Sequence, residues 1–214
     1  MRYWFYRVAA AIGPHIPARF GYWLFERFGD LAFIFANRKS EYFENLRHVL
    51  GKDATEVRVN AVARAGFRNQ LKNYFDLFRS HGLTREKIRT QLAGLHGFEH
   101  IENALKRGKG ILLGSAHFGA WDLIIHMTTA YLDTRVVLPV ERLTPEKFFA
   151  LVMQLRGKTG IDIVPLEHAP RVMIKTLRAG AIVGLAYDRD ITHTGPIVDF
   201  LGTPAQMPDR KSVV

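Results

Sequence analysis

The residues best suited to chemistry lie in one short segment of the chain, around His117 and Asp122. An imidazole has an ordinary pKa of about 6.5, and a carboxylate on its second ring nitrogen fixes the tautomer and stabilises the imidazolium. Residues five apart on an ideal helix lie about 140° from each other. The two side chains can therefore meet only if His117 precedes the first helical turn, which a bend at Gly119 allows. We predict that Asp122 orients His117 as a general base.

The nucleophile in such a site is best supplied by the substrate, as a hydroxyl group. The chain has no cysteine, which excludes a thiol nucleophile, disulfides and the usual cysteine-containing zinc sites. Ser115 is the alternative, because on a strand it would face the same side as His117 and carry an acyl group. A buried histidine beside a helix-capping aspartate is the non-catalytic interpretation. No metal and no bound cofactor are expected.

Helical and strand patterns alternate from residue 99 onwards. The predicted elements are helix 99–107, strand 110–115, helix 119–132, strand 135–140, helix 144–158, strand 161–166, helix 169–179 and strand 181–187. This alternation predicts an α/β fold with a mainly parallel central sheet flanked by helices. His117 then lies just after the first strand, at the edge where open α/β sheets place reacting groups.

The N-terminal residues 1–50 are rich in aromatic side chains and form a predicted helical, membrane-associating region ahead of a domain at 51–214. Charges and prolines interrupt every long apolar run, so a membrane-spanning helix is doubtful. Helices at 3–12 and 17–36 lying in the membrane interface fit better, because Trp and Tyr favour the headgroup level. An aromatic helical hairpin packed on the domain is the alternative.

Positive charge is concentrated in the first half of the chain. The net charge is +10, and residues 1–110 hold 19 of the 30 basic side chains but only 10 of the 20 acidic ones. A predicted amphipathic helix at 54–80 carries Arg64, Arg68 and Lys72 as an i, i+4 stripe, which is either solvated or membrane-facing. The charge indicates an anionic partner, and membrane phosphates are favoured because no nucleic-acid-reading motif is present.

Residues 117–122 resemble the His-x4-Asp/Glu motif of the bacterial lysophospholipid acyltransferase family, in its lipid A late-acyltransferase and phosphatidylinositol mannoside acyltransferase branch. The resemblance extends over residues 42–208 and includes segments 139–142, 180–190 and 200–205. Four segments in the family's order are more specific than one. The Asp-Arg-Asp sequence at 188–190 and the His-x4-Asp form of the motif are more similar to the mannoside acyltransferases than to the lipid A acyltransferases.

The resemblance implies transfer of a fatty acyl group from acyl-CoA or acyl carrier protein to a hydroxyl of a glycophospholipid or lipid A-like acceptor. It also implies a peripheral or monotopic position on the cytoplasmic face of the bacterial inner membrane. The segment with Glu141 and Arg142 would bind a phosphate of the acceptor or the donor, since the planar guanidinium of an arginine can form two parallel hydrogen bonds to a phosphate. Asp188 would support the charged state of the histidine. Backbone N–H groups near Gly119, with Arg142 or Arg189, would stabilise the oxyanion.

Alternative interpretations accompany this assignment. Surface salt bridges at 141–142 and an Asp-rich turn at 188–190 are the structural alternatives. An acyl thioesterase would use the same residues with water as acceptor, and a non-enzymatic basic membrane-binding or nucleic-acid-binding protein would use none of them. Segment 200–208 is predicted to be a shaped loop that walls the acyl groove.

Family members continue beyond residue 208, and residues 209–214 do not match their pattern. We therefore expect a C-terminally truncated fragment of a longer protein, with an incomplete acyltransferase domain.

Overall fold

The computed structural model describes residues 2–90, 94, 96–132, 134–158, 160–190 and 193–208, so the segment 209–214 discussed above lies outside the described residues. Six α-helices of the described residues precede the sheet: α1 (Arg2–Ile12), α2 (Ala18–Ile34), α3 (Glu41–Leu50), α4 (Glu56–Ser80), α5 (Arg85–Thr90) and α6 (Phe98–Lys106). Thr55 begins α4 as its N-cap, with its hydroxyl accepting a hydrogen bond from the Arg58 N–H. The predicted helices at 3–12, 17–36 and 54–80 are confirmed as α1, α2 and α4.

A parallel four-stranded sheet follows, and it confirms the predicted α/β alternation. Its strands are β1 (Ile111–Ser115), β2 (Val136–Val140), β3 (Ile161–Pro165) and β4 (Ile182–Ala186), in the spatial order β1-β4-β2-β3. They are connected by α7 (Trp121–Tyr131), α8 (Glu146–Gly157) and α9 (Ala169–Arg178). Each predicted boundary lies within two residues of the observed one.

Alternate residues of the central strands enter two different cores. Val136 and Ile182 pack with Ile125 of α7 on one face, while Val137 and Val183 pack with α9 on the other. Side chains of a strand alternate between its faces, and a sheet covered on both sides makes both sets apolar. The sheet is therefore a rigid layer that fixes the positions of the loops at its carboxyl edge.

The basic stripe of α4 faces α2. Asp30 of α2 accepts hydrogen bonds from Arg64 at 2.7 Å and from Arg68 at 2.7 and 2.9 Å, and Lys72 donates to Glu26 at 3.1 Å. The hydrogen bonds from Arg68 and Arg64 hold the pKa of Asp30 well below its ordinary value. Carboxylates on the neighbouring helix thus partner all three basic side chains, although half of the Arg64 side chain stays exposed. Contact of this stripe with a membrane stays a prediction.

Residues 197–206 form an antiparallel hairpin of β5 (Ile197–Phe200) and β6 (Thr203–Gln206). Leu201 and Gly202 both have positive φ, of 56° and 77°, as a tight two-residue hairpin turn requires. The Thr203 hydroxyl lies 2.6 Å from Nε2 of His48 on α3. The predicted shaped loop is corrected to a hairpin anchored on α3, because this turn returns the chain directly on itself.

Candidate active site

His117 lies in the loop that joins β1 to α7, at the carboxyl edge of the sheet. The strand ends at Ser115 and the helix begins at Trp121. Gly119, with φ of 66°, turns the chain between them, and a left-handed conformation of this kind favours glycine. His117 thus precedes the first helical turn, which is the position that the sequence analysis required for a contact between His117 and Asp122.

The carboxylate of Asp188 holds His117 at two points. Oδ1 of Asp188 lies 2.9 Å from Nδ1 of the imidazole, and Oδ2 accepts a hydrogen bond of 2.9 Å from the backbone N–H of His117. Burial alone would raise the pKa of Asp188, but these hydrogen bonds lower it below its ordinary value. An ionised carboxylate only accepts, so Nδ1 carries the hydrogen and Nε2 offers a lone pair to a substrate.

The register of the sheet explains this contact. β1 and β4 are parallel neighbours in which Ser115 pairs with Ala186. His117 and Asp188 each lie two residues beyond that pair, so the two strand ends deliver them to one place. Trp121 completes the arrangement, with its ring centroid 4.8 Å from that of the imidazole. An aromatic face at this distance favours a cation and so stabilises an imidazolium.

Asp122 does not make the predicted contact with His117. Its side chain is buried in the first turn of α7, with the residue only 5% exposed, and Oδ1 accepts a hydrogen bond of 2.7 Å from Nε of Arg156 on α8. The physical reason is that a buried carboxylate requires a charged partner, and α8 supplies one. The sequence analysis assigned no part to Arg156. A role of Asp122 in catalysis stays a prediction.

The two arginines that the sequence analysis assigned to the site, Arg142 and Arg189, have different surroundings. Arg189 donates a hydrogen bond of 2.9 Å to Glu141, and both residues line the cavity beside His117. Arg142 is instead bound by Glu167 and by Glu146, the latter at 3.1 Å, and it does not line the cavity. The structure therefore brings Glu141, Asp188 and Arg189 to the site but directs Arg142 towards two glutamates. Glu167, which the sequence analysis left unassigned, is one of them.

A cavity of about 680 Å³ opens beside His117 and runs under α8 across the carboxyl halves of the strands. Much of its wall is apolar: Ile125 of α7, Leu138 of β2, Phe149, Val152 and Met153 of α8, and Ile163 of β3. This volume and lining are typical of a site for an extended apolar ligand. Of the predicted wall at 200–208, only Pro208 lines the cavity, and Gly119 lies outside the lining.

A buried polar contact below the site connects α7 to α4. His126 is fully buried, and its Nε2 lies 2.8 Å from the hydroxyl oxygen of Ser80. Burial lowers the pKa of His126 to about 4, so the ring is neutral. The sequence analysis did not identify this contact, because nothing in the local pattern reveals a partner 46 positions away.

Comparison with known proteins identifies the family. The model of the bacterial lipid A biosynthesis acyltransferase family matches residues 1–214. Phosphatidylinositol mannoside acyltransferases of Mycobacterium tuberculosis, strains CDC 1551 / Oshkosh and H37Rv, are each 30% identical over 170 residues, covering 77% of this chain and 53% of the relative. The protein of the same name from Mycolicibacterium smegmatis is 28% identical over 169 residues, covering 77% and 54%. The chain thus spans about half the length of the curated relatives it matches.

These matches confirm the family resemblance found in the sequence but correct its extent, because the family model matches residues 1–214 and so includes residues 1–41 and 209–214. The chain belongs to the bacterial lipid A biosynthesis acyltransferase family.

Proposed function

We propose that the protein transfers a fatty acyl group from a thioester, acyl-CoA or acyl carrier protein, to a hydroxyl of a glycolipid, with His117 as the general base. The observation that carries the proposal is an imidazole oriented by Asp188 at the rim of a largely apolar cavity. The cavity suits the acyl chain, and the imidazole suits deprotonation of the acceptor. The names of the mannoside acyltransferase relatives favour a mannosylated phospholipid as acceptor.

In the proposed reaction, Nε2 of His117 takes the proton of the acceptor hydroxyl as its oxygen attacks the thioester carbonyl. A carbon–oxygen bond forms, and the carbonyl electrons pass to an oxyanion. When the oxyanion collapses, the carbon–sulfur bond breaks and the imidazolium returns its proton to the thiolate. Asp188 and the face of Trp121 stabilise the imidazolium between these steps. The steps use no metal.

We propose that Arg189 is the cation that binds negatively charged groups of the substrates at the carboxyl edge of the sheet. It lines the cavity, while Arg142 is bound by two glutamates away from it. Positive charge next to the thioester would stabilise the oxyanion or hold a phosphate of either substrate. Backbone N–H groups near Gly119 are the second proposed source of stabilisation.

We further propose that α1 and α2 place the site at the surface of the cytoplasmic membrane. Large apolar side chains of these helices are exposed, including Trp4 (74%), Phe5, Phe20, Trp23 and Phe35. Tyr6 of α1 packs on Phe148, which lines the cavity, at 4.6 Å between ring centroids. An apolar surface next to the opening would let a lipid enter without crossing water. No helix among the described residues has the length and apolarity needed to cross a bilayer.

The proposal is tested by transfer of labelled palmitoyl from its CoA thioester into a bacterial lipid extract. His117→Ala should lower the rate by two to four orders of magnitude, the usual contribution of a general base. Cooperative unfolding of both proteins confirms that they are folded. Labelled free fatty acid in place of labelled lipid would support the thioesterase alternative, and transfer by folded His117→Ala at the wild-type rate would refute the assignment of the base.

The membrane contact is tested separately with anionic vesicles. Replacing either Trp4 or Trp23 by Ser should weaken vesicle binding, while replacing the exposed Val57 of α4 by Ser, which removes a smaller apolar side chain outside α1 and α2, should have little effect. Equal binding of both tryptophan variants and the wild type would contradict the proposed surface.

A further inference from the structure

Helices α4 and α7 lie side by side and run in the same direction. Ser80 of α4 bonds to His126 of α7. Four residues earlier on each helix, Asp76 lies near Asp122: burial is the largest cause of the raised pKa of Asp76, and the charge of Asp122 adds to it. Because α7 begins only one residue before Asp122, the preceding turns of α4 extend past the start of α7.

This arrangement brings two amide side chains to the rim of the cavity. Gln70 and Asn73 lie six and three residues before Asp76, which is about 9 and 4.5 Å along the helix axis. They are three positions apart, share one face of α4 with Tyr74, and line the same cavity as His117. Among the residues that the structure describes, neither amide has a hydrogen-bond partner.

The chemistry of these two amides differs from that of the charged pair that also lines the cavity. Arg189 and Glu141 carry charges and bind each other, whereas Gln70 and Asn73 are uncharged and still have all their hydrogen-bonding capacity. A primary amide offers two donors and an acceptor, which matches a hydroxyl group that both donates and accepts. A ligand with several hydroxyls is therefore a better match for these amides than a phosphate.

We propose that Gln70 and Asn73 bind sugar hydroxyls of the acceptor and position one of them for His117. This inference rests on the proposed function, and it adds an acceptor subsite on α4. It predicts that the two amides affect the acceptor and leave use of the thioester unchanged.

The test compares wild-type protein with the double variant Gln70→Ala/Asn73→Ala. Asn69→Ala is the matched control, because Asn69 is an exposed amide on the same helix that does not line the cavity. Binding of a water-soluble inositol mannoside head group is measured by titration calorimetry. We expect the double variant to bind about tenfold or more weakly, from the loss of two neutral hydrogen bonds, and the control to bind as the wild type does.

Kinetics with a mannosylated phosphatidylinositol give the second measurement. The double variant should raise the KM for this acceptor by a similar factor, while hydrolysis of palmitoyl-CoA without acceptor keeps its rate and KM. Wild-type affinity for the head group in the double variant would overturn the inference, as would failure of the wild type to bind it. A parallel rise in the KM for palmitoyl-CoA would also overturn it, by assigning the amides to the donor.

The two proposals fail separately in this design. If the wild type binds the head group through these amides but transfers no acyl group, the acceptor subsite stands and the proposed activity fails. If transfer depends on His117 but not on the amides, the activity stands and the subsite fails.

Discussion

In the structure Asp188 contacts His117, while Asp122 pairs with Arg156, and this difference gives a prediction for each aspartate. Asn at position 188 can still accept from the backbone N–H of His117, but its amide group next to Nδ1 favours the tautomer with the hydrogen on Nε2. That tautomer cannot take a proton from the acceptor, so Asp188→Asn should lower kcat by a factor of about 10² to 10⁴. The side chains of His117 and Asp188 are 54% and 36% exposed, so stability should change little.

Asp122→Asn should show the opposite pattern. The side chains of Asp122 and Arg156 are only 7% and 15% exposed, so Asp122→Asn removes the charged half of a buried ion pair. Breaking a buried pair in this way costs about 3–5 kcal/mol of unfolding free energy. The double variant Asp122→Asn/Arg156→Met, which also removes the guanidinium, should recover most of this loss.

The assay joins palmitoyl transfer with urea unfolding, both at neutral pH and at a temperature where every variant is folded. The structure predicts a loss of turnover for Asp188→Asn and a loss of stability for Asp122→Asn. Our reasoning is refuted if Asp122→Asn unfolds like the wild type but loses turnover a thousandfold, while Asp188→Asn keeps it. That result would restore the pairing predicted from the His-x4-Asp spacing.

Three other predictions concern single positions. The pKa of His126 is about 4 in the folded protein and about 6.5 in the unfolded chain, so the unfolded chain binds more protons between these pH values. The free energy of unfolding should therefore fall by about 3 kcal/mol from pH 7 to pH 4. Urea unfolding of His126→Gln should lack this contribution. A Cβ at Gly29 would lie 2.6 Å from the α4 backbone, so Gly29→Ala should cost about 1–3 kcal/mol in the same assay, while Gly157→Ala, where a Cβ meets nothing within 4 Å, should not destabilise. Trp121→Leu should lower kcat about tenfold by removing the aromatic face from His117, and Trp121→Phe should recover most of the rate; equal rates for the two variants would contradict a role of the ring face.

The alternation of helices and strands was predictable because it depends on local patterns. Short apolar runs such as 182–186 are typical of buried parallel strands, and the predicted parallel alignment places their carboxyl ends on one edge. The position of His117 before α7 also follows from local residues, since Gly119 permits the turn. These features need no knowledge of which strands are neighbours.

The partner of His117 was not predictable from local residues, because it depends on strand order. The spacing of five to Asp122 is visible in the sequence, whereas Asp188 is 71 residues away. The ends of β1 and β4 meet because β4 lies between β1 and β2 in the sheet. The sequence analysis named Asp188 through the family resemblance, yet it assigned the main contact to the nearer aspartate.

The same limit applies to charge. A net charge of +10 and a basic stripe on α4 suggested an anionic partner, but Arg64 and Arg68 are bound by Asp30 across the helix interface. Asp30 and Glu26 offset part of the positive charge of this stripe, so the stripe attracts an anionic membrane less than its basic side chains alone would suggest. The exposed aromatic side chains of α1 and α2 have no such internal competitor. Membrane contact near the cavity is therefore expected to depend more on apolar burial than on the charge that composition alone emphasises.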